Sequence, residues 1–247
     1  MQVNTFLWEA ARKAVSRAAV VLSVAASLTI STGCKKESSP VANTVPPGVR
    51  TSGYVQDHTI PDGTGTSNGF FWSLFQQGGS ANLTQGAAGN FALSYSGVTD
   101  VVGGKGFNPG SAQTIGYNVG LLNGSFNFVG IYGWTTSPLI EYYVAEMGSV
   151  ATGPVINSIS SDGHTYNFYR NQRISEPSII GTATFWQYLD NYGGSSTGQN
   201  HVVTMPNHIN NWKSHGGEGF GTFNYQILAL EAFGGRSGNV NATVWRD

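Results

Sequence analysis

Two glutamates lie within apolar segments of a chain that has few charged residues. Only 13 of its 247 residues are Asp or Glu, yet Glu141 and Glu231 are each embedded in a strand-like apolar run. An ionised carboxylate away from water is costly unless it is paired or hydrogen-bonded. Side chains alternate along a strand, so Tyr143 shares a face with Glu141, and Tyr225 and Phe233 share one with Glu231.

A pair of strand-borne glutamates near tyrosines suits the hydrolysis of a glycosidic bond. One carboxylate attacks or stabilises the anomeric carbon, and the other must keep a proton for the leaving oxygen. Aromatic rings also offer flat faces for sugars. Strand alternation alone equally allows two unrelated glutamates on solvent-facing positions, and this alternative stays open at this point.

Composition restricts the class of protein. The chain has 34 Gly, 12% aromatic residues, 10% charged residues and a formal net charge of −1. Such a composition argues against a wholly disordered chain, and the near-neutral charge argues against nucleic acid as the main partner. Short apolar runs separated by Gly-Gly, Asn-Gly and Asp-Gly turns predict an all-β sandwich. One short helix is predicted over 206–216, where Ile209 and Trp212 have helical spacing.

The N-terminal part differs from the rest. A basic segment and an uncharged run of small apolar residues predict a signal peptide over 1–33. Cys34 follows it and is the only cysteine, which excludes an intramolecular disulfide. The segment resembles a bacterial lipoprotein signal, which implies a lipid anchor on Cys34 in the cell envelope. Ordinary secretion is the alternative. Residues 34–68 are predicted to be a flexible linker, and residues 69–247 the catalytic domain.

Several motifs in order along the chain resemble glycoside hydrolase family 11, the small β-jelly-roll endo-β-1,4-xylanases. They are FFWSLFQQGG at 70–79, GKGFNPG at 104–110, YGWTTSPLIEYY at 132–143, SDGHTY at 161–166, PSIIGTATFWQY at 177–188 and NHINNWKSHG at 207–216. The resemblance implies a jelly roll of two curved antiparallel sheets with one short helix. It also implies hydrolysis of xylan with retention of configuration.

The resemblance assigns a role to each matching residue. Glu141 matches the nucleophile and Glu231 the acid/base, and Asp100 matches the position beside the acid/base that tunes its pKa. The residues that match substrate contacts are Phe75, Trp134, Tyr132, Tyr143, Tyr225, Arg173, Gln187 and the tip of the thumb hairpin, Pro177, Ser178 and Ile179. We expect no metal or cofactor, xylan or xylo-oligosaccharides as partner, and a monomer that touches the membrane only through its anchor.

Two rival functions remain compatible with the sequence. One is a glycan-binding lipoprotein that has lost catalysis, and the other is a jelly-roll glucanase acting on β-glucan.

Two G-x-S-x-G matches, at 65–69 and 194–198, lie in polar glycine-rich segments and lack the strand–turn–helix context of an esterase. His208 is predicted to be a hydrogen-bonded core residue, because no histidine spacing matches a zinc ligand set.

Overall fold

The structure is a computed structural model that describes residues 62–247. The predicted signal peptide, Cys34 and most of the predicted linker lie outside the described residues. The linker prediction is corrected at its end, because Gly63–Ser67 forms strand β1 and pairs with the next strand. β1 is an edge strand with the sequence GTGTS, which has no large apolar residue, so apolar periodicity could not reveal it.

Twelve strands and one helix make up the described part of the chain, which confirms the all-β prediction. After β1 come β2 (Phe70–Gln77), β3 (Ser80–Gln85), β4 (Asn90–Phe107), β5 (Thr114–Gly124), β6 (Phe128–Thr136), β7 (Ile140–Gly148), β8 (Asn157–Ser161), β9 (His164–Ser178), β10 (Gly181–Asn191), β11 (Asn200–Thr204) and β12 (Thr222–Arg246). Helix α1 is Met205–His215.

The strands form two layers that share β4 and β12. One layer has the order β1-β2-β4-β12-β6-β7-β10-β9-β8, and β3, β5 and β11 extend the second from the same two long strands. The first half of β12 pairs with β6, and its second half pairs with β5. Among the strand pairs of residues 62–247, β7 and β10 run parallel and the others are antiparallel.

A bend within β12 lets one strand serve both layers. The sequence predicts separate strands over 223–233 and 240–245, but the structure has one strand of 25 residues. Its register against β4 shifts after Phe233, where Gly234 and Gly235 have φ of +79° and +81°. Residues with a Cβ rarely adopt this backbone conformation, so the two glycines allow the strand to turn without ending.

Helix α1 contributes to the larger apolar cluster described below, and its bounds lie within one residue of the predicted ones. Its fully buried Trp212 contacts the ring of Tyr142 at 5.5 Å between centroids. His208 is also fully buried and bonds Asp190 at 2.7 Å, which confirms the prediction of a core histidine. Within residues 62–247, no helix combines the length and the apolar character needed to cross a lipid bilayer.

Alternation along the strands produces two apolar clusters. The larger one fills the space between the layers and includes Val144 and Leu230. The smaller one lies on the opposite face of β6, β7, β10 and β12, and it is rich in aromatic rings: Phe128, Tyr132, Trp134, Tyr143, Phe185 and Tyr225. Glu141 and Glu231 belong by alternation to this second face, so the sheet places both glutamates among the aromatic residues.

Candidate active site

Glu141 is buried and held by three side-chain donors. Its exposed fraction is 8%. The phenols of Tyr132 and Tyr143 donate to Oε1 at 2.8 and 2.9 Å, and Gln187 Nε2 donates to Oε2 at 2.7 Å. The alternative of a solvent-facing glutamate is therefore wrong for Glu141.

The donors reach Glu141 because of the strand register. Gln187 on β10 lies directly opposite Glu141 in the parallel pair with β7. Tyr132 and Tyr143 face each other across β6 and β7, one residue pair further along the same face. Directly opposed residues in neighbouring strands have adjacent side chains, so the register alone brings the amide beside the carboxylate.

Two opposing effects set the pKa of Glu141. Burial raises it, because the ionised form loses hydration. The hydrogen bonds from Gln187, Tyr132 and Tyr143 lower it, and the positive charge of Arg173 lowers it further. Burial is the largest effect and the pKa is raised overall. Glu141 is therefore almost fully buried, yet three hydrogen bonds stabilise its ionised form.

Trp134 supports the carboxylate through a second layer of contact. Its indole Nε1 donates to the hydroxyl of Tyr132 at 2.8 Å, and that hydroxyl donates to Glu141. The Tyr132 and Tyr143 rings meet edge-on at 5.0 Å, and the Trp134 ring meets Phe185 edge-on at 4.9 Å. These packed rings restrict the rotation of both phenols, so their hydroxyls stay aimed at the carboxylate.

Tyr143 connects the environments of the two glutamates. Burial raises the pKa of its phenol most, and the negative charges of Glu141, Glu231 and Asp100 raise it further. Glu141, Glu231 and Asp100 are distant in sequence, yet the charges of all three contribute to the pKa of this one phenol.

The sheet also arranges the surroundings of Glu231. Glu231 is partly exposed and lies opposite Val102, and Phe75 lies opposite Val102 on its other side. Asp100 lies opposite Phe233, one pair along the same face as Glu231. Phe75 is thus on the row of Glu231, and Asp100 is diagonal to it. The contrast with Glu141 is clear, since one glutamate is enclosed and the other can reach water.

Small residues allow the two ends of the site to approach each other. Ala229, Gly130 and Ala145 form a cross-strand row between the row of Glu231 and the row of the tyrosines. Above this row, the rings of Phe128 and Tyr143 meet edge-on with centroids 5.4 Å apart. Larger side chains in the row would hold these rings apart.

The predicted thumb is the hairpin between β9 and β10. Pro177 and Ser178 end β9, and Ile179 packs on the aromatic cluster. Ser178 Oγ donates to Gly181 O at 2.6 Å, which closes the tip. Arg173, near the base, pairs with Glu176 at 3.5 Å and acts electrostatically on Glu141.

Tyr225, another residue predicted to contact the substrate, lies beside Tyr132, with ring centroids 6.0 Å apart.

Two buried acids escaped the sequence analysis. Glu146 has an exposed fraction of 1% and accepts hydrogen bonds from Tyr117, Tyr166 and Ser195. Asp190 is fully buried against His208. Glu146 lies five residues after Glu141, an odd spacing that puts it on the opposite face, in the core between the layers. Burial of a carboxylate is thus not enough to identify the site.

No metal centre is found among residues 62–247, where no three His, Cys, Asp or Glu side chains come together to hold an ion. Around Glu141 the face presents phenols, an amide and the guanidinium of Arg173. Residues 67–243 match the family model described as Glycosyl hydrolases family 11. The chain belongs to this family. The resemblance inferred from the motifs is confirmed for the residues matched.

Known xylanases are among the relatives of this family 11 chain. It is 44% identical over 189 residues to ethylene-inducing xylanase 1 of Botryotinia fuckeliana (strain B05.10), covering 74% of this chain and 66% of the relative. It is 41% identical over 193 residues to endo-1,4-beta-xylanase B of Phanerodontia chrysosporium, covering 75% and 64%. In both cases the chain spans slightly less than two thirds of the relative's own length.

In a third relative the matched residues are a small part of a longer protein. The bifunctional xylanase/xylan deacetylase of Cellvibrio japonicus is 39% identical over 197 residues, which cover 73% of this chain but 29% of the relative. The three relatives match similar shares of this chain, 73% to 75%.

Sequence reasoning missed one residue next to the catalytic candidates. Asn171 donates through Nδ2 to Gln187 Oε1 at 2.9 Å. It lies two residues before Arg173 and therefore on the same face of β9, and this spacing was the available signal. The spacing could not show that Asn171 lies opposite Gln187, because that depends on the register of β9 against β10.

Replacement of the buried carboxylate should change how stability depends on pH. In the folded protein the pKa of Glu141 is raised, so its contribution is most favourable below the unfolded pKa and is lost as pH rises through the folded pKa. Glu141→Gln removes this loss. We expect the melting temperature of Glu141→Gln minus that of the wild type to increase as pH rises from about 4, near the unfolded pKa.

Differential scanning calorimetry of both proteins across pH 3.5–8 checks this expectation. Glu218 is exposed and pairs with Arg170. The control variant Glu218→Gln therefore measures the effect of removing one exposed carboxylate. A difference between Glu141→Gln and wild type that stays constant or shrinks with rising pH would contradict the raised pKa.

Proposed function

We propose that the protein is a retaining endo-β-1,4-xylanase with Glu141 as nucleophile and Glu231 as acid/base. The observation that carries the proposal is the environment of Glu141, a buried carboxylate with two phenol donors and one amide donor. One of these phenols, Tyr143, has a pKa that the charge of Glu231 also raises. Family membership supports a glycosidase, and several relatives are named xylanases.

The first step transfers the sugar to the enzyme. A carboxylate oxygen of Glu141 forms a bond to the anomeric carbon as the glycosidic C–O bond breaks, and Glu231 gives its proton to the leaving oxygen. Tyr132, Tyr143 and Gln187 keep Glu141 oriented and ionised before attack. Burial keeps the carboxylate away from water, so its charge is not shielded by hydration at the moment of reaction.

The second step releases the sugar. Glu231, now ionised, takes a proton from a water molecule whose oxygen attacks the anomeric carbon, and the bond to Glu141 breaks. Glu231 ends the cycle protonated and Glu141 ends it ionised. The partial exposure of Glu231 suits this role, since the same group must meet both the leaving oxygen and incoming water. Two displacements at one carbon retain its configuration, which requires the carboxyl groups to lie ~5–5.5 Å apart.

The remaining residues of this face would hold the substrate. Phe75, which is partly exposed, would offer its ring to a sugar face, and Arg173 and Gln187 would offer polar contacts beside Glu141. Trp134 and Tyr225 are almost fully buried and would contribute through their packing around Tyr132. Pro177, Ser178 and Ile179 would cover the chain from the thumb. The rival of a glycan-binding protein without catalysis gives no role to two carboxyl groups on one aromatic face, one of them held by three donors. A β-glucanase is separated from a xylanase by substrate tests.

Covalent labelling should identify the nucleophile. In a 2-fluoro-xylobioside inactivator the fluorine slows both steps, and a good leaving group restores the rate of the first step only. The glycosyl-enzyme therefore accumulates. We expect stoichiometric label on the peptide that contains Glu141, detected by mass spectrometry, and no label in Glu141→Gln. Label on another residue would contradict the assignment. Binding to xylan without any label would favour the glycan-binding protein.

We further propose that Asp100 tunes the acid/base. Two carboxyl groups that share a proton titrate as a pair. The pair must hold a proton for the first step while Glu141 is ionised, which displaces activity to lower pH. Asp100 lies on the face of Glu231, and both charges act on Tyr143.

Asp100→Asn should move the pH optimum of hydrolysis upward. Removal of the second carboxyl leaves the proton on Glu231 alone, and we expect an upward shift of ~1 pH unit. The pH dependence of kcat/KM on a soluble xylan measures it. An unchanged optimum and acid limb would show that Asp100 does not share the proton.

We also propose that Cys34 carries a lipid anchor after removal of residues 1–33, as expected from the sequence. The neighbouring segment of small residues and the absence of any other cysteine support this proposal. Cys34→Ser should move the protein from the membrane fraction to the soluble fraction of bacterial cells that express the full chain. If the wild type is already soluble, ordinary secretion is the better description.

A further inference from the structure

The two oxygens of Glu141 are held differently. Oε1 accepts from two phenols that belong to packed rings, Tyr132 and Tyr143. At Oε2 the side-chain donor is the amide of Gln187, at 2.7 Å. A phenol has one hydroxyl and can only present that group. An amide has a donor end and an acceptor end of nearly the same shape, so its orientation must be set by other contacts.

Asn171 provides that contact. Its Nδ2 donates to Gln187 Oε1 at 2.9 Å. With the oxygen of Gln187 engaged by a donor, the Nε2 end is directed to Glu141. The reverse orientation would place the oxygen of Gln187 against the carboxylate and, with Asn171 oriented as observed, its NH₂ against another NH₂. Each donor in the chain Asn171 to Gln187 to Glu141 therefore points toward the negative charge.

The sheet fixes the three residues in one row. Asn171 on β9 lies opposite Gln187 on β10, and Gln187 lies opposite Glu141 on β7. All three side chains belong to the same face, and Asn171 and Gln187 are both partly buried. Hydrogen bonds in series polarise one another, and partial burial strengthens them. The row is thus a chain of amide dipoles that ends on the carboxylate.

We propose that Asn171 is a positioning residue for the nucleophile and acts through Gln187. It holds the Gln187 amide in the orientation that donates to Glu141, and so keeps the carboxylate aimed. The inference rests on the proposed role of Glu141 as nucleophile.

Asn171→Ala should lower turnover more than substrate binding. Gln187 would lose its fixed orientation, and Glu141 would lose part of a hydrogen bond that lowers its pKa. We expect kcat to fall about 10-fold, KM to stay within about twofold, and the acid limb of kcat/KM to move up by ~0.5 pH unit. A ¹³C NMR titration of the Glu141 carboxyl should show the same upward movement without any turnover.

Asn171→Asp is the more severe test, because it keeps the shape of the side chain and replaces the donor by an acceptor. Its carboxylate would attract the Nε2 end of Gln187 and turn the amide away from Glu141. We expect kcat to fall about 100-fold, more than for Asn171→Ala. If the isosteric variant retains full activity, Asn171 has only a structural role and the inference is wrong.

A double-mutant cycle tests whether the effect passes through Gln187. In a Gln187→Ala background, Asn171→Ala should cause little further loss of kcat, because the intermediate amide is gone. Full additivity would contradict the inference. The matched control is Asn167→Ala, on the same strand and face but bonded to Ser158 Oγ, which should leave kcat and the acid limb unchanged.

The outcomes separate this inference from the proposed function. If the inactivator labels Glu141 but Asn171→Ala and Asn171→Asp match the wild type in kcat and pH profile, only the role of Asn171 fails. If the label falls on another residue, the proposed nucleophile fails first. Melting temperatures of each variant show whether a loss of activity reflects unfolding.

Discussion

The burial of one carboxylate is the constraint on which the rest of the active-site face depends. Glu141 lies on β7 with an exposed fraction of 8%, and an unpartnered charge there would cost several kcal/mol. The fold meets this cost with donors from β6, β7 and β10, each a hydrogen bond to a charged group. The aromatic packing around Tyr132 and Tyr143 is the support of those donors, and it keeps the phenols from rotating away.

The parallel pairing of β7 and β10 is the topological feature that makes the arrangement possible. It puts the donor strand of Gln187 directly beside the strand of Glu141, and the antiparallel neighbour β9 then adds Asn171 to the same row. On the other side, β6 connects β7 to β12 and so to Glu231. A row of small residues separates the two ends of this surface, and charges at both ends raise the pKa of the Tyr143 phenol.

Prediction from sequence succeeded where the signal was local. Alternation placed Tyr143 with Glu141, turn residues indicated a β sandwich, and Ile209 and Trp212 located the helix. It failed for β1, a strand without an apolar pattern that was predicted to be linker. It also failed at Gly234 and Gly235, where a bent but continuous strand was predicted to be two strands. It also did not foresee the burial of Glu146 and Asp190, which are enclosed and yet lie away from the candidate site.

The sequence by itself determined the composition of each strand face, the turn positions and, through its motifs, the family, because these depend on residues close together in the chain. Tertiary structure alone decided which donors Glu141 has and how Asn171 orients Gln187. Those contacts depend on strand order and register, and a shift of one residue would turn each side chain to the opposite face. In this row Asn171 and Gln187 are 16 positions apart in sequence, and Gln187 and Glu141 are 46 apart. A local sequence pattern cannot predict pairing over such separations.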